Sequence, residues 1–261
     1  MSDSLSTCIL GLKKRMMTID DRSEKALGKD IIEKLRSLQF CIVGCGGTGA
    51  IFAELLVRTG AVNLVLIDGA KVNPTNLNRV FQFIESDCGK YKSEVLRDRL
   101  SSIRKGTEIS VLTDHFRSPE NILPNHNVGQ DVRDAVYDAD LVFLGTDTNQ
   151  SRIAIEQMCR EKTKGNYLSC GIMVDHQKGV FEFDCAWSPK TPAQRKEDCG
   201  YGPENASYAS IVHEATSLAF TMLLSHLKDP KSDFKSYLRR YDSNFRPVKT
   251  GINEKPSGNT P

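Results

Sequence analysis

The chain has 261 residues, enough for one large α/β domain or two small ones with a sizeable core. Hydrophobic residues make up 39% and charged residues 26%, with a formal net charge of only +2, so a protein that chiefly coats nucleic acid is not expected. No run of eighteen apolar residues occurs, which argues against a helical membrane span. The N-terminus, MSDSLSTCILGLKKRMM, has no apolar core followed by a small-residue cleavage site, so a cytoplasmic, reducing setting is expected. The eight cysteines (Cys8, Cys41, Cys45, Cys88, Cys159, Cys170, Cys185 and Cys199) form no C-x-x-C pair. They read as core residues with at most one reactive thiol, and no zinc site is expected.

In chain order, residues 1–21 read as a loosely ordered segment, 22–238 as the folded domain and 239–261 as a flexible tail. Apolar residues at helical spacing predict a helix over Ser23–Ser37, with Gly28 as its weak point. Gln39–Val43 predicts a strand, Thr48–Thr59 a helix and Leu64–Ile67 a second strand, the first βαβ unit of a parallel sheet. A polar loop, Val72–Arg79, leads to a helix over Ser86–Ile103 and a strand over Ile109–Leu112. Residues 118–130 read as loop. Leu141–Leu144 predicts a strand ending at Gly145-Thr146-Asp147, and Asn149–Lys162 a helix. Tyr167–Cys170 and Val180–Cys185 predict two more strands, Trp187–Asn205 a polar loop, and Ser207–Leu227 a long apolar helix, either in the core or at a dimer contact. The expected fold is α/β, a Rossmann-like, doubly wound, mostly parallel sheet with helices on both faces.

Gly44-Cys45-Gly46-Gly47-Thr48-Gly49 has the G-x-G-x-x-G spacing between a strand and a helix. Glycines let the backbone approach a phosphate closely, and the helix offers its first amides to the anion. Asp68, ending the next strand, can accept hydrogen bonds from ribose hydroxyls. A tight turn needed only for packing would leave the same trace, and the glycines do not say which nucleotide. The charges that follow narrow the choice. Asn76 and Arg79 lie on the next loop, Lys92 near the start of the next helix, and Asp147 at the carboxyl edge of a later strand, where a carboxylate could hold Mg²⁺. This set suits adenylyl transfer better than hydride transfer.

The same residues resemble the ThiF/MoeB/HesA superfamily, which includes the ubiquitin-activating enzymes. The resemblance rests on the glycine turn, Asp68, Asn76-Leu77-x-Arg79, Gly89-x-x-Lys92 and Asp147-x-x-x-x-Arg152 in the family's order. Arg79-Val80-Phe81 is closer to a compact branch of the family. The resemblance implies ATP on the glycine turn and Asp68, phosphates on Asn76, Arg79 and Lys92, and Mg²⁺ at Asp147. It implies activation of the C-terminal glycine of a ubiquitin-fold protein, with a carrier enzyme as a further partner. It also implies a homodimer in which an N-terminal arginine of the neighbouring subunit reaches the ATP, with Arg22 first and Arg15 second. Cys199, in the Trp187–Asn205 loop, stands where many relatives carry a nucleophilic thiol, although Glu197 and Asp198 beside it would raise its pKa. Two departures stand out: Ala70 replaces a frequent second Asp, and the family's paired C-x-x-C is missing. Three other readings remain: an ATP-dependent dehydratase acting on threonylcarbamoyl adenosine in tRNA, an NAD-dependent oxidoreductase, and a non-catalytic dimeric binding partner.

Overall fold

The structure is a computed structural model and describes residues 17–113, 129–147, 149–161, 166–175, 177, 180–187, 207–232, 236–242 and 244–252. Its first strands, β1 (Gln39–Val43) and β2 (Asn63–Ile67), are buried on both faces after their opening residue. Such near-continuous apolar runs are what a parallel sheet between two helical layers demands. Side chains alternate between the layers as the pleat requires. Phe40, Ile42, Leu64 and Leu66 enter one core cluster, while Cys41, Val43, Val65 and Ile67 enter the other.

The remaining strands are β3 (Glu108–Leu112), β4 (Leu141–Leu144), β5 (Asn166–Asp175), β6 (Val180–Trp187), β7 (Ser236–Tyr241) and β8 (Pro247–Ile252). The described strands form one sheet in the order β3-β2-β1-β4-β5-β6-β7-β8. Pairings from β3 to β5 are parallel and those from β5 to β8 antiparallel. The helices are α1 (Asp21–Leu27), α2 (Lys29–Ser37), α3 (Gly47–Thr59), α4 (Lys92–Ile103), α5 (Gln130–Asp138), α6 (Asn149–Glu161) and α7 (Ala209–Lys228). Residues of α2, α3, α4 and α7 fill the first core, and those of α5 and α6 fill the second. The chain moves outward from β1 to β3, then returns to place β4 on the other side of β1. That reversal opens a crevice at the carboxyl ends of β1 and β4, where ligands of open α/β sheets bind.

The expected α/β sheet is observed, with several local differences. The helix expected over Ser23–Ser37 is two, α1 and α2, broken at Gly28 with φ 93°. The helix expected from Ser86 begins at Lys92, after a 3₁₀ turn over Glu85–Asp87. α5 was not expected at all. The tail expected to be flexible past Arg239 instead holds the end of β7 and the strand β8. α7 belongs to the core: Ile211, Val212, Ala215, Ala219 and Leu223 are buried against the sheet and α3. Phe52 of α3 stacks on Phe143 of β4 with ring centroids 4.0 Å apart, and Phe220 of α7 meets Phe52 edge-on. No described helix is long and apolar enough to cross a membrane.

A buried ion cluster pins the N-terminal side of the domain. Asp20 accepts from Arg104 Nη1 at 3.0 Å and also pairs with Arg36, while Arg104 Nε donates to the Val57 carbonyl at 2.8 Å. Hydrogen bonding from Arg104, with help from Arg36, holds the Asp20 carboxyl below its ordinary pKa. Removing one member strands a buried charge, so Arg104→Ala should cost about 3–5 kcal/mol in denaturant unfolding. A depressed folded pKa means the Asp20 contribution is complete above about pH 4 and fades as pH falls through the lowered value. The wild-type advantage over Arg104→Ala should therefore shrink in acid and hold at neutral pH.

Candidate nucleotide site

The glycine turn is built by close backbone crossing. Gly44 has φ 93°, which suits glycine. A Cβ on Gly49 would lie 1.8 Å from the Gly44 carbonyl oxygen, and one on Gly145 would lie 2.8 Å from the same oxygen. Gly44, Gly49 and Gly145 thus let the ends of β1 and β4 and the first turn of α3 touch. Gly46 does something different. Among the described residues, a Cβ there would meet nothing within 4 Å, which leaves room for a ligand against it. The first-turn amides of α3 are groups that a helix leaves without an internal partner, and the positive end of the helix dipole adds to their pull on an anion.

Asp68 sits directly beside this turn. Its Oδ2 accepts from the Cys45 amide and its Oδ1 from the Ala70 amide, both at 2.7 Å. The carboxylate is held rigidly, and each oxygen keeps further acceptor capacity. Ala70, at the position of the missing second Asp, also accepts from the Lys92 amide at 2.9 Å. Ser93 Oγ donates to the Asp68 carbonyl at 2.9 Å. These bonds fix the start of α4, and so Lys92, at the end of β2. Burial pushes the Cys45 thiol well up, Asp68 adds to that, and the positive charge of Lys92 opposes it. Cys45 is therefore an inert thiol in the turn, and Lys92 lies within electrostatic reach of it.

Asn76 is buried and caps its own loop: its side-chain oxygen accepts from the Asn73 amide at 3.0 Å. That bond shapes the 3₁₀ turn over Pro74–Asn76 that leads into Arg79. The Arg79 side chain lies along the glycine turn, with Cδ and Nε 3.7 Å from where a Gly47 Cβ would stand. Burial lowers the pKa of Arg79, and the nearby Asp147 carboxylate raises it. Asp147 is exposed at the carboxyl end of β4. Arg152 braces that end: it is buried, and it donates to the Thr146 and Cys170 carbonyls, each at 2.8 Å.

The structure thus gathers Gly44, Gly46, Gly47, Gly49, Asp68, Asn76, Arg79, Lys92 and Asp147 around one crevice. It does not bring Arg22 there. Arg22 is exposed near Asp20, which is tied through Arg104 to Val57, ten residues along α3 from Gly47 or about 15 Å. Arg15 and Cys199 lie outside the described residues. Gly145 and Asn78 were missed from the sequence. The Gly-Thr-Asp run after β4 was a signal for Gly145; nothing local marked Asn78. Among the described residues no three His, Cys, Asp or Glu side chains form a metal cluster. An exposed single carboxylate fits Mg²⁺ carried in by phosphates, which keeps most of its shell as water and phosphate oxygen.

An anion-facing glycine turn at the switch point of a doubly wound sheet, ringed by Arg, Lys and Asp, defines a nucleotide-site α/β domain. The chain belongs to the ThiF family, whose model matches residues 21–250. It is 36% identical over 108 residues to the tRNA threonylcarbamoyladenosine dehydratase of Haemophilus influenzae, covering 41% of each chain. It is 30% identical over 152 residues to ubiquitin-like modifier-activating enzyme 5 of Drosophila erecta, covering 58% of this chain and 37% of that protein. The chain thus spans about two fifths of the length of these curated relatives. Its fold is also similar to a solved structure of E. coli MccB with ATP, with TM-score 0.67 and 17% identity over 94% of this chain and 73% of that one.

Proposed function

We propose that this protein is an ATP-dependent adenylyltransferase that activates the C-terminal glycine carboxylate of a ubiquitin-fold protein. The observation that carries the reading is the meeting of Arg79 and Asp147 beside the glycine turn, where Gly46 leaves an open face. Asp68 would take the ribose hydroxyls, and Asn76, Arg79 and Lys92 the phosphates. A carboxylate oxygen would attack the α-phosphorus and pyrophosphate would leave. The protein's part in that step is positioning and charge neutralisation. Mg²⁺ held at Asp147 would screen the phosphate charge. In a homodimer, Arg22 of the partner subunit would complete the site, since Arg22 of the same chain is out of reach.

Cys199 would then attack the acyl adenylate, releasing AMP and forming a thioester for a carrier enzyme. Ser207 lies only eight positions after Cys199, and its carbonyl accepts from Asn78 Nδ2 at 3.0 Å beside Arg79. Eight extended residues span at most about 29 Å, so chain length from Ser207 permits the thiol to reach an adenylate in the crevice. Cys199→Ala should keep ATP–pyrophosphate exchange while removing a thiol-sensitive conjugate on a gel. A conjugate that survives in this variant would overturn the role of Cys199.

The similarity to a tRNA threonylcarbamoyladenosine dehydratase favours a second reading, in which the activated carboxylate belongs to a tRNA base. The net charge of +2 gives that reading no support. ATP–pyrophosphate exchange separates the two. Run with ubiquitin-fold proteins ending in glycine and separately with tRNA, it should be stimulated by the protein alone. Stimulation by tRNA alone would replace the first reading with the second.

A further inference from the structure

Asn78 is an exposed loop residue whose side chain makes two bonds at once. Its Oδ1 accepts from Arg79 Nη1 at 2.9 Å, and its Nδ2 donates to the Ser207 carbonyl at 3.0 Å. The Thr75 carbonyl also accepts from Arg79 Nη1, at 2.7 Å. The two protons of that nitrogen are therefore both engaged by the chain. The Nε and Nη2 protons have no partner among the described residues, and Nε lies on the side of the glycine turn.

A guanidinium on a free side chain samples many rotamers and loses them when it grips an anion. Here one nitrogen is pinned and the opposite edge of the planar fork is left to bind. The pin itself is referenced to the site. Ser207 leads into α7, and Val212 of α7 abuts the glycine turn, where a Cβ on Gly47 would lie 3.0 Å from Val212 Cγ1. A closed frame results: glycine turn, α7, Ser207, Asn78, Arg79 and back to the glycine turn. Such a frame is how a binding group is held within a fraction of an ångström of its working position.

The geometry points to Asn78 as a positioning residue that pre-orients Arg79 for the phosphates of a nucleoside triphosphate. The inference rests on the ATP reading above and names how that site gains its affinity for the triphosphate. The effect is specific to phosphate, because Asn78 acts only through Arg79. It is also separable from folding, because an exposed side chain leaves no cavity when shortened.

Two variants dissect the two bonds. Asn78→Ala removes both, whereas Asn78→Asp keeps the acceptor for Arg79 and loses the donor to Ser207. Calorimetric titration of each with ATP and with adenosine reads the result. Asn78→Ala should weaken ATP binding about tenfold, about 1.4 kcal/mol, and leave adenosine binding unchanged. Asn78→Asp should fall between wild type and alanine, because it keeps the bond to Arg79 but loses the tether to Ser207. If Asn78→Ala does not fold, Asn78→Ser, whose shorter side chain cannot reach Arg79, takes its place with the same expectation. Wild-type affinity for ATP in the alanine or serine variant would overturn the inference. So would an equal loss of adenosine and ATP, or an aspartate variant as weak as alanine, which would show that the bond from Arg79 to Asn78 contributes nothing. A wild-type protein that binds no ATP would instead overturn the adenylation reading itself.

Discussion

Gly49→Ala is expected to cost the protein its nucleotide crevice and much of its folded stability. The added Cβ would lie 1.8 Å from the Gly44 carbonyl oxygen, which is backbone and cannot rotate away. Gly44 is itself bonded to β2 through its amide, at 2.8 Å from the Ile67 carbonyl, and is crossed by Gly145. The clash can relax only by parting α3 from the sheet. Overpacking where neighbours can shift costs about 1–3 kcal/mol, and this site has no flexible neighbour, so the cost should exceed that range. Against a typical domain stability of about 5–15 kcal/mol, a large drop in urea midpoint should follow. Gly46→Ala is the internal contrast. Its Cβ meets no atom of the described residues within 4 Å, so stability should be near wild type while ATP binding falls. Equal stability of the Gly49 variant and wild type would refute the close-crossing account of the turn.

Asp147→Ala is the second large effect, and it acts on chemistry rather than folding. Asp147 is exposed, so its loss should leave thermal unfolding nearly unchanged. ATP–pyrophosphate exchange should nonetheless fall about 100-fold or more, the range seen when a charge-stabilising group is removed from a reacting centre. The Arg79 guanidinium also loses the carboxylate that supports its charge. Full exchange in this variant would remove Asp147 from the metal role.

The parallel half of the sheet was legible in the sequence because burial on both faces leaves little choice of residue. β1, β2 and β4 are short, unbroken apolar runs, and each ends in the glycine or aspartate that opens the crevice. The antiparallel half obeys a weaker rule. β7 reads SYLRRY and β8 reads PVKTGI, with charges that a half-exposed ribbon tolerates. Their stabilisation comes from cross-strand partners such as Glu182 and Arg240, bonded at 2.5 Å, which no local pattern announces. α5 escaped notice for a similar reason. It buries only Val132 and Val136, one turn apart, on an otherwise polar helix.

Within the site, the charged residues gathered at the crevice were legible and those that hold them in place were not. Arg79, Lys92, Asp68 and Asp147 are chemically distinctive and occur in a recognisable order. Asn76 was expected to touch phosphate, and its side-chain oxygen also shapes the loop that carries Arg79. Arg152 was read only as part of a motif, and it proves to brace the strand end before Asp147. Asn78 joins residues 129 positions apart, a contact that only the folded chain creates.

The central claim is that a protein carboxylate attacks the α-phosphorus of ATP in the crevice between β1 and β4. It is tested most directly with a ubiquitin-fold protein whose C-terminal glycine carboxylate carries ¹⁸O. Turnover with ATP, followed by release to a thiol, should leave one ¹⁸O in the AMP, because the attacking oxygen stays on phosphorus when the acyl group departs. AMP without label, or ADP and phosphate as the sole products, would contradict the account.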